Sequence, residues 1–210
     1  MQKAEAFWDK AAEKYAKSSI GNVEAYEYTL ERTRSYLSAE DKVLEIGCGT
    51  GSTALLLAAD VDQIIGSDIS GNMVRIASEK ARDQGVSNVS FIAADLFDDA
   101  LDQGPCDVVL ALNLLHLVED TTSALQRIRS LLKPNGIFIS KTVCKPDKGG
   151  QLKFLLMRTI IPIMQLLGKA PFVRFMDTRE FEDLITAQGF KILEAGYHPT
   201  PSRYIVAEKV

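Results

Sequence analysis

Apolar side chains recur at helical spacing over residues 4–17 and again over 23–38, which predicts two amphipathic helices. The rhythm then changes. Short runs rich in Val, Ile and Leu predict strands over 42–47, 62–68, 88–94, 106–112 and 136–142. Helical stretches over 52–59, 71–84 and 121–132 alternate with them. Several strands show little polar alternation, as expected of parallel strands covered on both faces. Alternating β and α elements predict a doubly wound α/β fold. Residues 95–105 have no clear helical period and read as a short helix or a loop.

After Cys144 the pattern breaks. The run Lys145-Pro146-Asp147-Lys148-Gly149-Gly150 is a loop by composition. Residues 151–168 are apolar nearly all round. Asp177-Thr178-Arg179-Glu180 resembles a capping box that opens a helix to about Gln188, and Gly189 is placed to end it. Residues 190–196 and 202–208 read as two strands, joined through His198-Pro199-Thr200-Pro201 and antiparallel because the connection is short. The expectation is one α/β domain over 1–210 with a Rossmann-like, mostly parallel seven-stranded sheet that includes a C-terminal antiparallel strand. Its parts are a helical cap (1–40), a core (41–144), an apolar insert (145–176) and a final helix with two strands (177–210).

Composition narrows the function. With 46% hydrophobic and 25% charged residues in 210, the chain reads as one globular unit able to bury a substantial core. Its net charge of −4 and the lack of a basic stripe argue against a nucleic-acid partner. Cys48, Cys106 and Cys144 are odd in number and form no C-x-x-C pair, which argues against a disulfide framework and a zinc site. A reducing, cytoplasmic setting follows. The charged residues Lys3, Glu5, Asp9 and Lys10 interrupt the first residues, so no secretory signal is expected there.

The central motif is Val43-Leu44-Glu45-Ile46-Gly47-Cys48-Gly49-Thr50-Gly51, a buried strand running into a glycine-rich turn that opens a helix. Three glycines allow a tight bend and close approach of a ligand to the backbone. A dinucleotide fingerprint would need a further glycine at position 52, where Ser52 stands. Glu45 beside the turn would repel phosphates, and an unpaired carboxylate inside an apolar strand is costly.

The run Leu44–Gly51 resembles the first motif of class I S-adenosylmethionine-dependent methyltransferases, and is most similar to the small-molecule subgroup of ubiquinone/menaquinone-biosynthesis C-methyltransferases. The resemblance covers residues 7–142 well and the C-terminal third in outline. It implies S-adenosyl-L-methionine as cofactor. Gly47 and Gly49, with Cys48 between them, would meet its methionine portion. Asp68, in Ile65-Gly66-Ser67-Asp68, would bind the ribose hydroxyls. Ile69 adjoins it, and Met73, in the pattern D-x-S-x-x-M, would pack on the adenine. Asp95, followed by Leu96, would accept from the adenine amino group. Ala111-Leu112-Asn113-Leu114-Leu115-His116 would form the pocket floor, and Leu131-Leu132-Lys133-Pro134-Asn135-Gly136 the turn into the fifth strand. Tyr15 matches a position that faces the cofactor.

Bland readings stand beside these. Asp68 caps a helix, Asp95 belongs to an acidic loop with Asp98 and Asp99, Cys48 fills a small-residue position, Asn113 satisfies backbone at a strand end, and Tyr15 packs its helix. His116 is either a general base or a structural histidine, and His198 is a loop residue. The segment 151–168 reads as a buried helix kinked at Pro162, a lid over an apolar substrate, a homodimer face or a membrane-surface contact. It is too short and too interrupted by Lys153, Arg158 and Pro162 to span a bilayer. The implied reaction is methyl transfer to a small, partly hydrophobic acceptor by in-line displacement. The alternatives are a cofactor-binding module without transfer and an NAD-dependent oxidoreductase.

Overall fold

The computed structural model describes residues 2–145, 151–199 and 201–210. The loop expected at 146–150 and Thr200 lie outside them. Two helices, α1 (Gln2–Ala16) and α2 (Val23–Arg34), precede the first strand, β1 (Lys42–Ile46). There follow α3 (Ser52–Leu57), β2 (Gln63–Asp68), α4 (Gly71–Asp83), β3 (Val89–Ala93), β4 (Cys106–Leu112), α5 (Thr121–Leu131) and β5 (Leu132–Lys145). The chain ends with α6 (Gln151–Leu166), β6 (Met176–Asp177), α7 (Thr178–Ala187), β7 (Phe190–Tyr197) and β8 (Ser202–Lys209).

The sheet order is β3-β2-β1-β4-β5-β8-β7, with the two-residue β6 paired to β5. Strands β1 to β5 are parallel, and β8 runs antiparallel to both β5 and β7. This is the doubly wound, mostly parallel architecture read from the sequence, with one further short strand. The order reverses between β1 and β4, so their carboxyl ends border the crevice where open α/β sheets bind ligands.

Neighbouring residues on each strand serve opposite cores, because side chains alternate across a sheet. Leu44, Ile65, Val109 and Phe138 face α5 and α7, where Leu125, Ile128, Phe181 and Ile185 meet them. Val43, Ile64, Val108 and Ile139 face the other way, towards Ala54, Leu57 and Leu30. A smaller cluster joins Trp8 and Ala12 of α1 to Met73 and Ile76 of α4.

Several boundaries follow local chemistry. The Asp177 capping box is formed, and α7 gives way to Gly189 at φ 77°. Ser70 caps α4 by accepting from the Met73 N–H. The helix predicted over 52–59 ends as α at Leu57 and continues as a 3-10 turn, Ala58–Asp60. Strand β5 is longer than predicted: Leu132 already pairs with Cys106 ahead of a register shift, and Val143 still pairs with Ser202. Helix α6 departs from the buried reading: Leu155 (58%), Ile163 (59%) and Leu166 (89%) are exposed. Its buried anchor is Phe154, edge-on to Phe175 with ring centroids 5.1 Å apart. Among the described residues no helix is long and apolar enough to cross a membrane.

Candidate functional site

Strand β1 delivers the glycine turn to the sheet's switch point. Gly47 (φ 69°) and Gly51 (φ 72°) both sit in the left-handed region, where a side chain is strained. Space forbids one as well: a Cβ on Gly47 would lie 2.8 Å from Leu114 Cδ1, and one on Gly51 only 2.5 Å from Phe91 Cζ.

The turn is tied to β2 by Asp68. Its carboxylate accepts from the Gly49 N–H at 3.0 Å and from the Ser70 N–H at 2.9 Å. Burial nevertheless pushes this carboxyl above the ordinary range. The Ser70 hydroxyl donates to Asp9 Oδ1 at 2.6 Å, and the Asn72 N–H donates to the same oxygen at 3.1 Å. These bonds clip α1 across the start of α4.

Beneath α1 lies a cavity of about 490 Å³. Nine of the eleven residues singled out by the sequence line it. Gly47, Gly49, Asn113 and Tyr15 form one wall, Asp68, Ile69 and Met73 another, and Asp95 and Leu96 a third. Asp95 accepts from the Phe97 N–H at 2.9 Å, which shapes the loop after β3. Asn113 takes φ 60°, and its N–H donates to the Lys141 carbonyl at 2.6 Å.

Glu45 and Cys48 are not in the wall. Both are buried behind the turn, Glu45 at 3% exposure. Burial pushes the Glu45 carboxyl up to about 8; an Ala54 backbone hydrogen bond opposes this and Asp68 adds to it. Glu45 Oε2 has no partner among the described residues. Burial, with Glu45 and Asp68 nearby, also pushes the Cys48 thiol up, which removes it as a ready nucleophile.

His116 also stands outside the wall, in a 3-10 turn over Leu115–Leu117. Burial pushes its imidazole down to about 4, so it is neutral near pH 7. His198 stacks on Tyr28 with ring centroids 4.3 Å apart.

The cavity also recruits residues the sequence reading missed. Trp8 enters from α1; Phe97, Leu117, Val118 and Phe172 supply apolar surface, and Glu119 and Asp120 add carboxylates. Trp8, Ala12 and Tyr15 at i, i+4 and i+7 form a helical stripe that marks the docking face of α1. Phe172 carries no local signal; it arrives from the connection after α6. Electrostatically the wall is one-sided: among the described residues it holds Asp68, Asp95, Glu119 and Asp120 and no Lys, Arg or His. Such a wall favours a ligand carrying positive charge and hydroxyl donors, and disfavours phosphates.

Several known proteins similar to this chain are named methyltransferases. The curated demethylmenaquinone methyltransferase of Staphylococcus carnosus (strain TM300) is 27% identical over 168 residues, covering 73% of this chain and 69% of that protein. The uncharacterized methyltransferase YcgJ of Bacillus subtilis (strain 168) is 33% identical over 101 residues, covering 48% of this chain and 40% of that protein. The first curated relatives are matched over only 4–40% of their own length. Among solved structures, the magnesium protoporphyrin IX methyltransferase of Synechocystis PCC 6803 with bound SAH superposes with a TM-score of 0.74 at 20% identity, over 98% of both chains, which speaks to the fold. A family described as a methyltransferase domain matches residues 37–167, more than half of the sequence, and the chain belongs to that family.

Proposed function

We propose that this chain is an S-adenosylmethionine-dependent methyltransferase acting on a small, partly hydrophobic molecule. The observation that carries the reading is the glycine turn at the switch point opening onto a cavity walled, among the described residues, by four carboxylates and no cation. S-adenosylmethionine fits that donor set, with an ammonium, a sulfonium and ribose hydroxyls. A nicotinamide dinucleotide fits it worse, because its pyrophosphate would meet carboxylates where a helix N-terminus should hold it.

Each wall has a task in this reading. Asp68 accepts from the ribose hydroxyls while holding the turn through Gly49. Met73, Ile69 and Leu96 give the adenine an apolar bed, and Asp95 accepts from its amino group. Gly47 and Gly49 let the methionine portion approach the backbone, beside Tyr15 and Asn113. Glu45 and Cys48 support the turn from behind. When bound, the cofactor supplies a methyl group already activated by a sulfonium sulfur. The protein then has to exclude water and align the acceptor, and alignment of this kind can lower a barrier by about 7–11 kcal/mol. Leu114, Leu117, Val118 and Phe172 offer the acceptor an apolar approach. We assign no base, since His116 lies outside the wall.

Calorimetric titration with S-adenosylhomocysteine tests the reading. Wild type should bind it. Asp68→Asn keeps an acceptor oxygen for the Gly49 N–H, gives up the one that meets the Ser70 N–H and loses the charge, and should bind about ten- to a hundredfold more weakly, as the loss of charge-assisted bonds implies. Absence of binding to wild type, or unchanged affinity in a folded Asp68→Asn variant, overturns it.

Helix α6 favours a surface contact over a lid or a buried strut, because its apolar side chains point outward. From Lys148 to Met176 the sequence has five basic residues and no acidic one, in a chain whose net charge is −4. We propose that α6 rests on an anionic lipid surface, with Leu155, Ile163 and Leu166 in the headgroup boundary and Arg158 and Lys169 on the phosphates. The setting we propose is the cytoplasm, consistent with the buried thiols of Cys48 and Cys106.

A further inference from the structure

A second, smaller compartment of about 30 Å³ lies across the wall formed by Leu112 and Asn113, which line both spaces. Its remaining walls are Tyr26, Thr29, Leu30 and Thr33 of α2, Thr53 of α3 and Lys141 of β5. Lys141 is the cation in this polar space. It is half-buried, and its side chain's hydrogen bond is a long one, 3.4 Å to Thr29 Oγ1. Among the described residues no carboxylate forms an ion pair with it. Burial lowers its ammonium below the ordinary lysine range. His198 lies close enough to feel its charge, and Tyr204 pairs with it across the strands.

The surrounding hydroxyls differ in how far they are committed. Thr29 donates to the Ala25 and Tyr26 carbonyls, and Thr33 donates to the Thr29 carbonyl. Among the described residues the Tyr26 and Thr53 hydroxyls meet only each other, at a long 3.3 Å. Among the described residues the compartment therefore holds a lysine without a paired carboxylate and two hydroxyls able to turn towards a better acceptor. A charge drawn partly out of water without a partner is costly, and a ligand that brings the opposite charge removes the cost.

We infer that this compartment receives a carboxylate of the methyl acceptor, held by the Lys141 ammonium and the Tyr26 and Thr53 hydroxyls. The inference rests on the methyltransferase reading and deepens it. The two spaces then sort charge. The acidic cavity takes the cationic cofactor and repels an anionic acceptor, while the compartment beyond Asn113 attracts that acceptor's carboxylate and leaves its apolar body at the shared wall. A head group of a few atoms fits the smaller space; an aromatic ring does not.

Trace acetylation with acetic anhydride, read lysine by lysine by mass spectrometry, tests this without knowledge of the natural acceptor. Only the neutral amine reacts. Lys17 and Lys191, both exposed, serve as internal references. Sodium benzoate is compared with benzamide and with sodium chloride at equal ionic strength. A bound carboxylate within a few ångströms raises the pKa of Lys141 by a unit or more, so its rate relative to the references should fall about tenfold with benzoate and not with benzamide. In the Lys141→Met variant, benzoate should no longer raise the melting temperature. An unchanged Lys141 rate, or equal protection by benzamide, overturns the inference. Titration of the same wild-type sample with S-adenosylhomocysteine separates the two failures: binding there with no benzoate effect removes the carboxylate compartment alone, and no binding removes the methyltransferase reading beneath it.

Discussion

The buried carboxyl of Glu45 makes a sharp prediction about pH. It lies within β1, where burial holds it at about 8 against an ordinary 4.5. Between those values the unfolded chain has released the proton and the folded chain has kept it. Folding therefore takes up a proton in this window, and stability falls as pH rises through it. Below about 4.5 both states are protonated and the penalty is absent; above about 8 both are ionised and the penalty is complete. At 1.36 kcal/mol per unit, the gap limits the loss to about 4–5 kcal/mol. Glu45→Gln keeps the shape and an acceptor oxygen for the Ala54 N–H, and it cannot ionise. Urea melts of the ligand-free protein should be run in parallel for both proteins from pH 5 to 8.5. The difference in unfolding free energy between wild type and variant cancels the titration of groups that do not interact with Glu45, and retains the part of the shift that Asp68 adds. It should move in favour of the variant with rising pH by several kcal/mol. A difference that stays level across that range would falsify the burial argument and leave Glu45 ionised, with a counter-charge yet to be found.

Four further outcomes are expected. Gly51→Ala forces a side chain into a left-handed position and against Phe91 Cζ and Ala77 Cβ, and should destabilise the protein by about 2–5 kcal/mol in denaturant melts. Gly71→Ala, whose Cβ meets nothing within 4 Å at the first residue of α4, should be neutral or stabilising by up to about 1 kcal/mol, and comparable losses in both variants would sink the steric account. His116→Gln should keep the wild-type affinity for S-adenosylhomocysteine from pH 5.5 to 8, because the ring is neutral and outside the wall; a loss of about tenfold, 1.4 kcal/mol, would put it in the site. For α6, the protein should sediment with phosphatidylserine-containing vesicles and not with pure phosphatidylcholine, less so in high salt, and Ile163→Asp with Leu166→Asp should abolish it. Equal sedimentation with neutral vesicles, or a dimer that those substitutions dissociate, would replace the lipid by another occupant.

What the sequence disclosed and what it withheld divide along the reach of the interactions. The strands β1 to β4 and the glycine turn were legible because their causes are local: β-branched runs between breakers, and backbone angles that only glycine adopts readily. Asp68 and Asp95 were legible through the resemblance, Asp68 as the last residue of β2 and Asp95 two residues past the end of β3. Helix α6 was not, since a segment apolar on every side reads alike whether it is buried, covers a pocket or meets a surface, and only its neighbours decide. Trp8 carried the helical stripe of α1 but nothing that says which cavity the stripe meets, and Phe172 reaches the wall across many residues of chain, beyond any periodicity. Lys141 is the instructive case. It shares the alternation of Ile137 and Ile139, which are set against the α2 and α3 side of the sheet, so the two-residue period alone put a lysine on a core-facing row. The sequence could not show that the row ends at a cluster of hydroxyls from α2 and α3, since that requires the helix before β1 to cross the end of β5. On the proposed reading the same packing turns a misplaced charge into a candidate recognition group: the cavity's carboxylates and Lys141 line two spaces that share Leu112 and Asn113, and a cationic methyl donor and an anionic acceptor can then be told apart before they meet.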